Sequence, residues 1–599
     1  MRNADTIFAV MQERGKKGLP VERLYRLLFN KELYLRAYAK LYSNNGAMTP
    51  GATPETADGM SLRKIESIIE AVKYERYQWT PARRKYIKKA NGKLRPLGIP
   101  TWSDKLLQEV IRSILEAYYE PQFSIRSHGF RPGKGCHTAL QQIKRTWTGA
   151  KWFVEGDISA YFDTIDHTVL IEILNEKIKD NRFIKLIQGL LNAGYMEDWK
   201  FNRTYSGTPQ GGIISPLLAN IFLDKLDKHA EELIEAFDKG TVRAHNLKYA
   251  VVGYRRAQAR KAGDKKLAHE LLKQLRTMPS KEQNDPNFRR LRYIRYADDF
   301  LFGIIGSKKD AQEIKQKIGE FLKDSLKLEL SEEKTLITNA TKEAAKFLGY
   351  EIIGQRCDTK LTKTESTGIP RRSINGAIGL RLPRCVIKKK AAEYMRKGKV
   401  IHIPHLIENS DYSIVAEYQS KLRGLYQFYA LATNVSDLHD LKWIMEQSLL
   451  KTLANKHKCS TYVIGQMYAV KGNDEIPRHI KVTVDRDEKK PLAAIFGGFP
   501  LTRKQVWKID DQPPPPINHL GTRTELLQRL LADKCEVCSS TEMVEVHHIR
   551  RMKDVQGNKN ERTDWKKYMA SRRRKTLVVC KTCHDLIHAG KPLPTLANH

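Results

Sequence analysis

Apolar positions at helical spacing mark the first 80 residues of the chain. Leu24, Leu27 and Leu28 recur at that spacing, and a second set follows in residues 34–38. The stretch NNGAMTPGATPETADGM, which starts at Asn44, breaks the pattern with glycine, proline and threonine. The pattern therefore predicts short amphipathic helices interrupted by a long loop.

Between residues 81 and about 350 the apolar pattern changes. Strand-like runs such as WFVEGDI, RYIRYADDFLFGI and LKLELS alternate with helical runs such as IFLDKLDKHAEELI. This alternation is typical of an α/β sheet domain. From about 230 to 290 a polar, basic helical stretch interrupts the sheet elements, and we interpret it as an insertion. Its basic side chains belong either to a solvated pair of surface helices or to an RNA contact.

Beyond Gly349 the chain becomes basic and loop-like, and it is then helical from about 385 to 470. The aromatic residues of GLYQFYALA could stack on nucleic acid, but at helical spacing they more often fill a core. We expect the core role for them, and Arg423 is the better candidate for a contact; the aromatic residues are Tyr426, Phe428 and Tyr429. A basic stretch from about 475 ends at DQPPPPI, whose prolines favour a stiff connector.

Composition limits the partners that such a chain can have. The 599 residues include 105 Lys and Arg against 68 Asp and Glu, which gives a formal charge of +37. That charge repels itself in the free protein, so a polyanion is the simplest partner, and nucleic acid is favoured over an anionic membrane. No apolar run approaches the roughly 20 residues of a membrane-spanning helix, and the first residues lack a signal-peptide pattern. We expect a soluble, unsecreted protein of several domains.

Three acidic or glycine-rich signatures occur in a fixed order. WFVEGDISAYFDTID ends a strand-like run at Asp157, TPQGGIISPLLANIFL starts with a glycine-rich turn, and RYIRYADDFLFGI places Asp298 and Asp299 at a hairpin turn. Mg²⁺ uses few carboxylates together with substrate phosphates, and two ions can neutralise both the attacking hydroxyl and the leaving pyrophosphate. An Asp-Asp pair alone is often only a turn former. The three signatures in this order favour a metal-dependent polymerase.

Cysteine and histidine residues concentrate near the C-terminus. Two CxxC pairs separated by about 40 residues suit tetrahedral zinc in a reduced compartment better than a disulfide framework; they are Cys535, Cys538, Cys580 and Cys583. Four histidines fall within the same segment, namely His547, His548, His584 and His588. His584 and His588 are four apart on an expected helix and so share one face. The alternative is a zinc ribbon with incidental histidines.

These segments together resemble the bacterial group II intron-encoded proteins, which join a reverse transcriptase, a maturase and an HNH endonuclease. The resemblance covers essentially the full length and rests on RRKYIKKANGKLRPLGIPTWSDKLLQ, SHGFRPGKGCHTAL, VEGDISAYFDTIDH, SGTPQGGIISPLLANIFL, RYADDF, LSEEKT and FLGY, in the order of the family. It implies a multidomain α+β fold with a right-hand polymerase (fingers, and a palm with a mixed sheet), an α-helical thumb and a small zinc-stapled ββα-metal HNH domain. The divisions it implies are 1–80 for an N-terminal extension with an RNA-binding loop, 81–370 for fingers and palm, 371–474 for the thumb or domain X, 475–525 for a basic DNA-binding region and 526–599 for the HNH endonuclease.

The resemblance also assigns roles in the polymerase site. Asp157, Asp298 and Asp299 would hold two Mg²⁺ ions, and Lys334 of LSEEKT would protonate pyrophosphate, although it could equally be an exposed lysine. The Phe347–Gly349 turn resembles the grip on the primer strand. The residues expected to bind the nucleotide are Lys93, Arg95, Phe162, Gln210, Gly211 and Tyr296, with the Phe162 ring excluding a ribose 2′-hydroxyl.

In the HNH segment, the resemblance makes His547, His584 and His588 the ligands of one divalent cation, expected to be Mg²⁺, and His548 the general base. The four cysteines would bind a structural Zn²⁺. The middle Asn of the family motif is replaced by Thr576, and Asn558 lies too far upstream to substitute for it. Because that Asn orients the base in the family, the replacement bears on the nicking rate and leaves the ligands and the base in place.

The function that the resemblance implies is that of a cytoplasmic ribonucleoprotein enzyme associated with nucleoid DNA. Its partners would be its intron RNA, double-stranded target DNA, dNTPs and a second copy in a homodimer, with no membrane. It would assist splicing, nick the target and copy the intron RNA from the nicked end. The alternatives are a splicing-only maturase and a reverse transcriptase of a phage-defence or diversity-generating system.

Overall fold

A computed structural model describes residues 3–593 with several gaps. The gaps are 45, 89–91, 93, 198–199, 203, 205–206, 208–210, 283–284, 358–359, 364–369, 373, 473–477, 487–488, 506–524, 550–563 and 572–573. The prolines of DQPPPPI and Asn558 therefore lie outside the described residues. Within the described part of the chain, no helix combines the length and the apolar character needed to cross a bilayer.

Capped helices form the amino-terminal segment, as the apolar pattern predicts. They are α1 (Ala4–Lys16), a 3₁₀ turn (Tyr25–Phe29), α2 (Lys31–Leu41) and α3 (Leu62–Lys73). The side chains of Asn3, Asn30 and Ser61 accept hydrogen bonds from backbone N–H groups of the first helical turns, which satisfies donors that the helices leave open. Leu28 and Tyr38 are buried, so the predicted apolar faces do face the interior.

A small sheet and a long helix follow. The elements are β1 (Ala82–Lys88), β2 (Leu94–Ile99), α4 (Trp102–Tyr119), a 3₁₀ turn (Glu120–Gln122), β3 (Ser127–His128) and α5 (Cys136–Thr146). Helix α4 is buried along most of its length and packs against α1 and α2. It therefore joins the amino-terminal helices to the rest of the protein in one hydrophobic core.

The next region contains the acidic signatures. Its elements are β4 (Trp152–Asp157), α6 (Tyr161–Thr164), α7 (His167–Lys177), α8 (Asn181–Asn192), β5 (Tyr195–Glu197), β6 (Lys200–Asn202), α9 (Ser215–Phe237), α10 (Leu247–Lys261), α11 (Lys265–Thr277), β7 (Arg290–Tyr296), β8 (Asp299–Ile305), α12 (Lys308–Leu326) and β9 (Ile337–Asn339). Strands β3, β7, β8, β4 and β9 lie side by side in that order in a mixed sheet, in which only the β3–β7 pair is parallel. A second sheet has the order β2, β1, β5, β6.

Two expectations for this region need correction. Helix α9 continues to Phe237 with Ile234 and Phe237 buried, so the insertion begins after that helix rather than near 230; it contains the paired helices α10 and α11. LKLELS was expected to be a strand, but only the isolated bridge between Leu330 and Ile158 forms there. The N–H of Ser331 donates to the carbonyl of Asp157 as part of that bridge, and the chain then turns, because the carbonyl of Ser331 accepts from the N–H groups of Lys334 and Thr335.

The chain after residue 340 is more mixed than its sequence suggests. It contains β10 (Ala345–Phe347), β11 (Tyr350–Gly354), β12 (Thr362–Lys363), β13 (Pro370–Arg371), β14 (Ile378–Arg381), α13 (Arg384–Ala392), β15 (Met395–Arg396), β16 (Lys399–Val400), 3₁₀ turns (Pro404–Leu406 and Val435–Asp437), α14 (Asp411–Tyr429), α15 (Leu438–His457), α16 (Thr461–Tyr468), β17 (Ala469–Val470), β18 (His479–Arg486) and β19 (Lys489–Phe496). The antiparallel pair β18–β19 packs on α14. The thumb expected to be helical therefore carries a sheet across one face.

The C-terminal unit is a short hairpin between helices. It contains α17 (Glu525–Leu531), β20 (Val544–His548), α18 (Asp564–Ser571), β21 (Thr576–Cys580) and α19 (Lys581–His588). Since side chains alternate across a strand, Leu577 and Val579 face a small core of this unit, whereas Val544, Val546 and Val578 join the core of the amino-terminal helices. The unit is thus docked on the first 80 residues.

Gly156 allows β4 and β8 to pair closely. A Cβ atom at this position would overlap the ring of Phe300, whereas one at Gly424 on α14 would meet nothing within 4 Å. We predict that Gly156→Ala lowers the free energy of unfolding by about 1–3 kcal/mol through overpacking. The matched Gly424→Ala should raise the free energy of unfolding by roughly 0.5–1 kcal/mol, because Ala gives the unfolded chain fewer backbone conformations to lose on folding. Urea denaturation checks both, and equal effects of the two variants would contradict this packing.

Candidate active sites

The strand register brings two of the predicted carboxylates together. Asp157 is the last residue of β4 and Asp299 is the first residue of β8, and the two are direct partners in the antiparallel ladder. Residues 142 positions apart in sequence therefore share one end of the sheet. Asp298 precedes Asp299 in the turn that joins β7 to β8.

The turn itself is held by backbone contacts. Tyr296 pairs with Asp299, so Ala297 and Asp298 form a two-residue connection, and Ala297 has a left-handed φ of 54°. Such turns match the twist of the two strands. The N–H of Ala297 donates to the carbonyl of His128 over 3.0 Å, which ties the turn to β3.

A buried ion pair supports the turn from below. Arg295 and Asp227 of α9 are both 0% exposed, and the guanidinium meets the carboxylate through two bonds of 2.6 and 2.8 Å. Arg295 also donates to the carbonyl of Ala297 over 2.8 Å and to Asn220 over 3.0 Å. Nothing in the sequence pattern singles out this pair, because Asp227 lies on an ordinary amphipathic helix.

The positive charge around the acidic cluster does not neutralise its carboxylates, as the raised pKa values of two of them show. Burial, and then the charge of Asp298 and the contact with Asp157, raise the pKa of Asp299 to about 7. Burial also raises the pKa of Asp298, with Asp157 adding to the effect. The ammonium of Lys334 lies 2.7 Å from Oδ2 of Asp157, and this bond raises the lysine pKa. Crowded oxygen donors of this kind fit a divalent cation.

The ligand atoms of the three polymerase carboxylates do not all lie within 4.8 Å of one another. Among the described residues, two other sets of possible ligands do have all their ligand atoms within 4.8 Å of one another. One is the four cysteines of the C-terminal unit, and the other joins three histidines of that unit to Asp58. The polymerase carboxylates are more widely spaced than those sets. A wider arrangement suits ligands that share their ions with water and substrate phosphates.

Of the residues expected at the nucleotide, Arg95 and Tyr296 lie next to this cluster. Arg95 lies in β2 and its charge acts on Asp298, and Phe162 lies in α6 directly after the β4 segment. A Cβ on Gly211, which has a φ of +109°, would stand 2.7 Å from Leu97 of β2. The close approach that requires glycine there is thus to the sheet beside the site. Lys93 and Gln210 lie outside the described residues.

The FLGY turn connects the sheet region to α14. Leu348 and Gly349 have φ values of 50° and 74° and join β10 to β11. The hydroxyl of Tyr429 donates to the carbonyl of Gly349 over 3.0 Å. Tyr426 and Tyr429 are buried and Phe428 is partly buried against the same core, which confirms that these aromatic residues fill a core. Arg423 is exposed.

The four cysteines of the C-terminal unit form one cluster. Cys535, Cys538, Cys580 and Cys583 have all their sulfur atoms within 4.8 Å of one another. The 3.6 Å between Sγ of Cys538 and Sγ of Cys580 is close to the roughly 3.8 Å expected for two thiolates on one tetrahedral zinc. N–H groups of Val537 and Cys538 point at Sγ of Cys535, as thiolate acceptors require. The donor set fits zinc.

The histidines divide between two faces of β20. His547 faces His584 and His588 of α19, whose Nε2 atoms are 3.1 Å apart, and these three converge with Asp58 from the amino-terminal loop. Although burial lowers it, hydrogen bonds to Asp58 and Glu545 raise the pKa of His584 to about 9. Burial opposes ionisation of Asp58 too, yet the histidines hold the pKa of its carboxyl well below the usual range. No sequence pattern marks Asp58, a single acid in a polar loop.

His548 lies on the opposite face from this cluster. Its Nε2 is 2.8 Å from the hydroxyl of Tyr38, and burial lowers its pKa to about 4, so the imidazole is neutral. Thr576, at the position of the motif Asn, is the direct ladder partner of His548. The hydroxyl of Thr576 accepts a hydrogen bond of 2.9 Å from the guanidinium of Arg529, and this bond orients the Thr576 side chain.

Comparisons with known proteins identify three domains in the chain. Three family models match: reverse transcriptase (RNA-dependent DNA polymerase) at residues 87–250 and 265–352, type II intron maturase at 379–489, and AI2M/AI1M-like HNH endonuclease at 535–584. The break in the first match, residues 251–264, covers most of α10 and the turn that leads to α11.

Two relatives are similar along nearly the whole chain. The group II intron-encoded protein LtrA of Lactococcus lactis subsp. cremoris is 40% identical over 593 residues, which cover 95% of this chain and 96% of LtrA. An uncharacterized 91 kDa protein in the cob intron of Schizosaccharomyces pombe is 36% identical over 598 residues, covering 97% of this chain and 72% of that protein. The chain belongs to the group II intron-encoded proteins. It is a multifunctional enzyme with reverse transcriptase, maturase and HNH endonuclease domains.

The Arg295–Asp227 pair generates a prediction about the polymerase turn. Arg295→Met or Asp227→Leu alone leaves a buried charge unpaired and should cost about 3–5 kcal/mol of stability. The double variant should recover much of that loss, since an apolar pair replaces the ion pair. Primer extension should stay low in the double variant, because the carbonyl of Ala297 has lost its donor. Urea denaturation and primer extension on RNA check this, and a double variant as active as the wild type would contradict it.

Proposed function

We propose that Asp157, Asp298 and Asp299 hold the Mg²⁺ ions of RNA-directed DNA synthesis. The observation that carries this is the ladder pairing of Asp157 with Asp299 beneath a turn anchored on a buried ion pair. The ions would lower the charge that develops on the attacking 3′-hydroxyl and on the departing pyrophosphate. The protein holds the carboxylates in place at the sheet edge before substrate arrives.

Residues around the acids then bind the nucleotide. Arg95 and Lys93 contact the triphosphate, and Phe162 closes the sugar pocket. The incoming base and the template are contacted by Gln210, Gly211 and Tyr296. The support is the position of β2, where Arg95 lies close enough to act on Asp298. Lys334 is the proton donor for pyrophosphate, and the support for this role is the position of its ammonium, 2.7 Å from Oδ2 of Asp157.

The regions on either side bind nucleic acid. Residues 1–80 and the thumb, 371–474, hold intron RNA, with Arg423 exposed on α14 as one contact. The basic segment 475–525 contacts target DNA phosphates, and its described part includes the β18–β19 pair. Binding there depends on salt and little on base sequence. We infer that the ribonucleoprotein contains one copy of the protein or a homodimer. The ribonucleoprotein works in the cytoplasm at the nucleoid.

The C-terminal unit nicks the target strand. His547, His584 and His588 would bind a divalent cation that polarises the scissile phosphate, and neutral His548 takes the proton from water. The buried ring of His547 supports this, because among the described residues its Nε2 has no hydrogen bond and its Nδ1 has only a long contact of 3.4 Å with Oδ1 of Asp58. A structural Zn²⁺ at the four cysteines stabilises a unit whose own core is small. The nick supplies the primer end for reverse transcription close to the polymerase site.

The polymerase assignment predicts a selective loss. Asp298→Ala should reduce primer extension on an RNA template with dNTPs and Mg²⁺ by about 100-fold or more, because several kcal/mol of charge stabilisation are removed. Asp324→Ala, an exposed residue on α12, is the matched control and should extend at the wild-type rate. Equal, non-zero extension by Asp298→Ala and the control would refute the role of that carboxylate.

The nuclease assignment predicts separable activities. His548→Ala in the ribonucleoprotein should abolish nicking of target DNA while extension from a supplied primer continues unchanged. His405→Ala, at an exposed histidine outside the cluster, should leave both reactions intact. Gel analysis of labelled DNA strands measures both reactions, and joint loss in His548→Ala would count against two independent sites.

A further inference from the structure

The amino-terminal loop and the nuclease hairpin are joined by backbone hydrogen bonds. Met60 and Val546 form an antiparallel bridge, in which the N–H of Val546 donates to Met60 over 2.9 Å and the N–H of Gly59 donates to Val546 over 3.1 Å. Val544, Val546 and Val578 are buried in the same core as Tyr38 and Met60. The docking is therefore specific, and it fixes the position of the residue before Gly59.

That residue, Asp58, reaches into the histidine cluster. Its Oδ2 lies 2.8 Å from Nε2 of His588, and its Oδ1 lies 3.2 Å from Nε2 of His584 and 3.4 Å from Nδ1 of His547. Oδ1 also accepts the N–H of His548 over 2.7 Å, which orients the carboxylate. All four candidate ligand atoms lie within 4.8 Å of one another.

The spacing and chemistry of these four groups fit one cation. Two ligands about 2.1 Å from an ion and at right angles lie about 3.0 Å apart, and the Nε2 atoms of His584 and His588 are 3.1 Å apart. Glu545 lies 2.8 Å from Nδ1 of His584, which leaves Nε2 free to bind a metal. Three imidazoles alone are a poor site for a hard cation such as Mg²⁺ or Mn²⁺, whereas a carboxylate supplies the oxygen that these ions prefer.

We propose that Asp58 is a fourth protein ligand of the nuclease cation, supplied by the amino-terminal segment, and that the scissile phosphate must displace it. This inference rests on the proposed nuclease role of the three histidines. The Asp58 carboxylate is an anion at the coordination position that a DNA phosphate would take. It therefore keeps the cation bound to the protein in the absence of DNA. The docked arrangement is a resting state.

A separate observation supports the resting state. The proposed base, His548, is only 6% exposed, its Nε2 is bonded to Tyr38, and the rings of Tyr38 and Tyr42 pack against it. A phosphodiester cannot reach the imidazole in this arrangement, and Tyr38 occupies Nε2, the atom that would take a proton from water. The amino-terminal segment thus covers the base and caps the cation site at once, and DNA cleavage requires the hairpin to move away from the first 80 residues.

Cation binding to the full-length protein tests the ligand role. Asp298→Ala and Asp299→Ala are introduced in every sample so that the polymerase carboxylates do not bind the probe, and Mn²⁺ is titrated by calorimetry. Asp58→Asn should raise the Kd for Mn²⁺ by about tenfold or more, as even indirect partners of metal ligands cost 10–100-fold. Asp324→Asn is the type-matched control and should bind as the parent does.

Two further variants separate the possible failures. Tyr38→Phe removes an interface hydrogen bond without touching a ligand and should leave the Kd unchanged; a rise equal to that of Asp58→Asn would show that docking rather than the carboxylate matters, and would overturn the proposal. His584→Ala should abolish binding. If it does so while Asp58→Asn binds normally, Asp58 is no ligand and the nuclease site stands. If His584→Ala binds normally, the proposed nuclease site itself fails.

Nicking gives a readout that moves in the opposite direction. At saturating Mn²⁺, the Asp58→Asn ribonucleoprotein should nick target DNA several-fold faster than the wild type, because no carboxylate competes with the phosphate. Damage to the fold would lower both cation affinity and the nicking rate. A nicking rate at or below that of the wild type would contradict displacement by the phosphate.

Discussion

Carboxylates held side by side at a strand end repel one another, and much of the polymerase half of this protein manages that repulsion. The register of β4 and β8 sets Asp157 opposite Asp299, and burial adds to the repulsion by weakening the solvation of the charged forms. The fold holds this arrangement through rigid neighbours: a Gly156 that admits the Phe300 ring and a turn bonded to Arg295. In such a site, bound cations relieve the repulsion between the carboxylates, and phosphoryl transfer requires cations at this position.

The buried pair of Arg295 and Asp227 illustrates how the supporting charge is arranged. The charged side chains of Arg295 and Asp227 neutralise each other below the turn. The guanidinium can therefore donate to the carbonyl of Ala297 without adding net charge near the polymerase carboxylates. A lone arginine there would compete with the metals. Replacement by apolar residues could keep the fold but would lose the bond to the turn, which separates stability from activity.

Much of both sites could be predicted from sequence because the signals are local. The apolar runs on either side of Asp298 and Asp299 predict the β7–β8 hairpin, and the CxxC pairs predict the sulfur cluster. Asp58 could not be predicted, since it is one acid in a loop and its histidine partners lie about 490 to 530 residues later. The β18–β19 pair was also missed, because basic residues on its exposed face mask the alternation of Ile480 and Val482 with solvent-facing positions. LKLELS shows the opposite error, as an alternating pattern without a partner strand forms only a single bridge.

The most direct test of the central claim is an anomalous diffraction map of the protein crystallised with Mn²⁺, a primer–template duplex and a non-reactive dNTP. Shared coordination by Asp157 and Asp298 predicts manganese peaks about 2.0–2.3 Å from carboxylate oxygens of both residues and from phosphate oxygens of the nucleotide. A nucleotide bound at this sheet edge with manganese contacting neither Asp157 nor Asp298 would contradict the account.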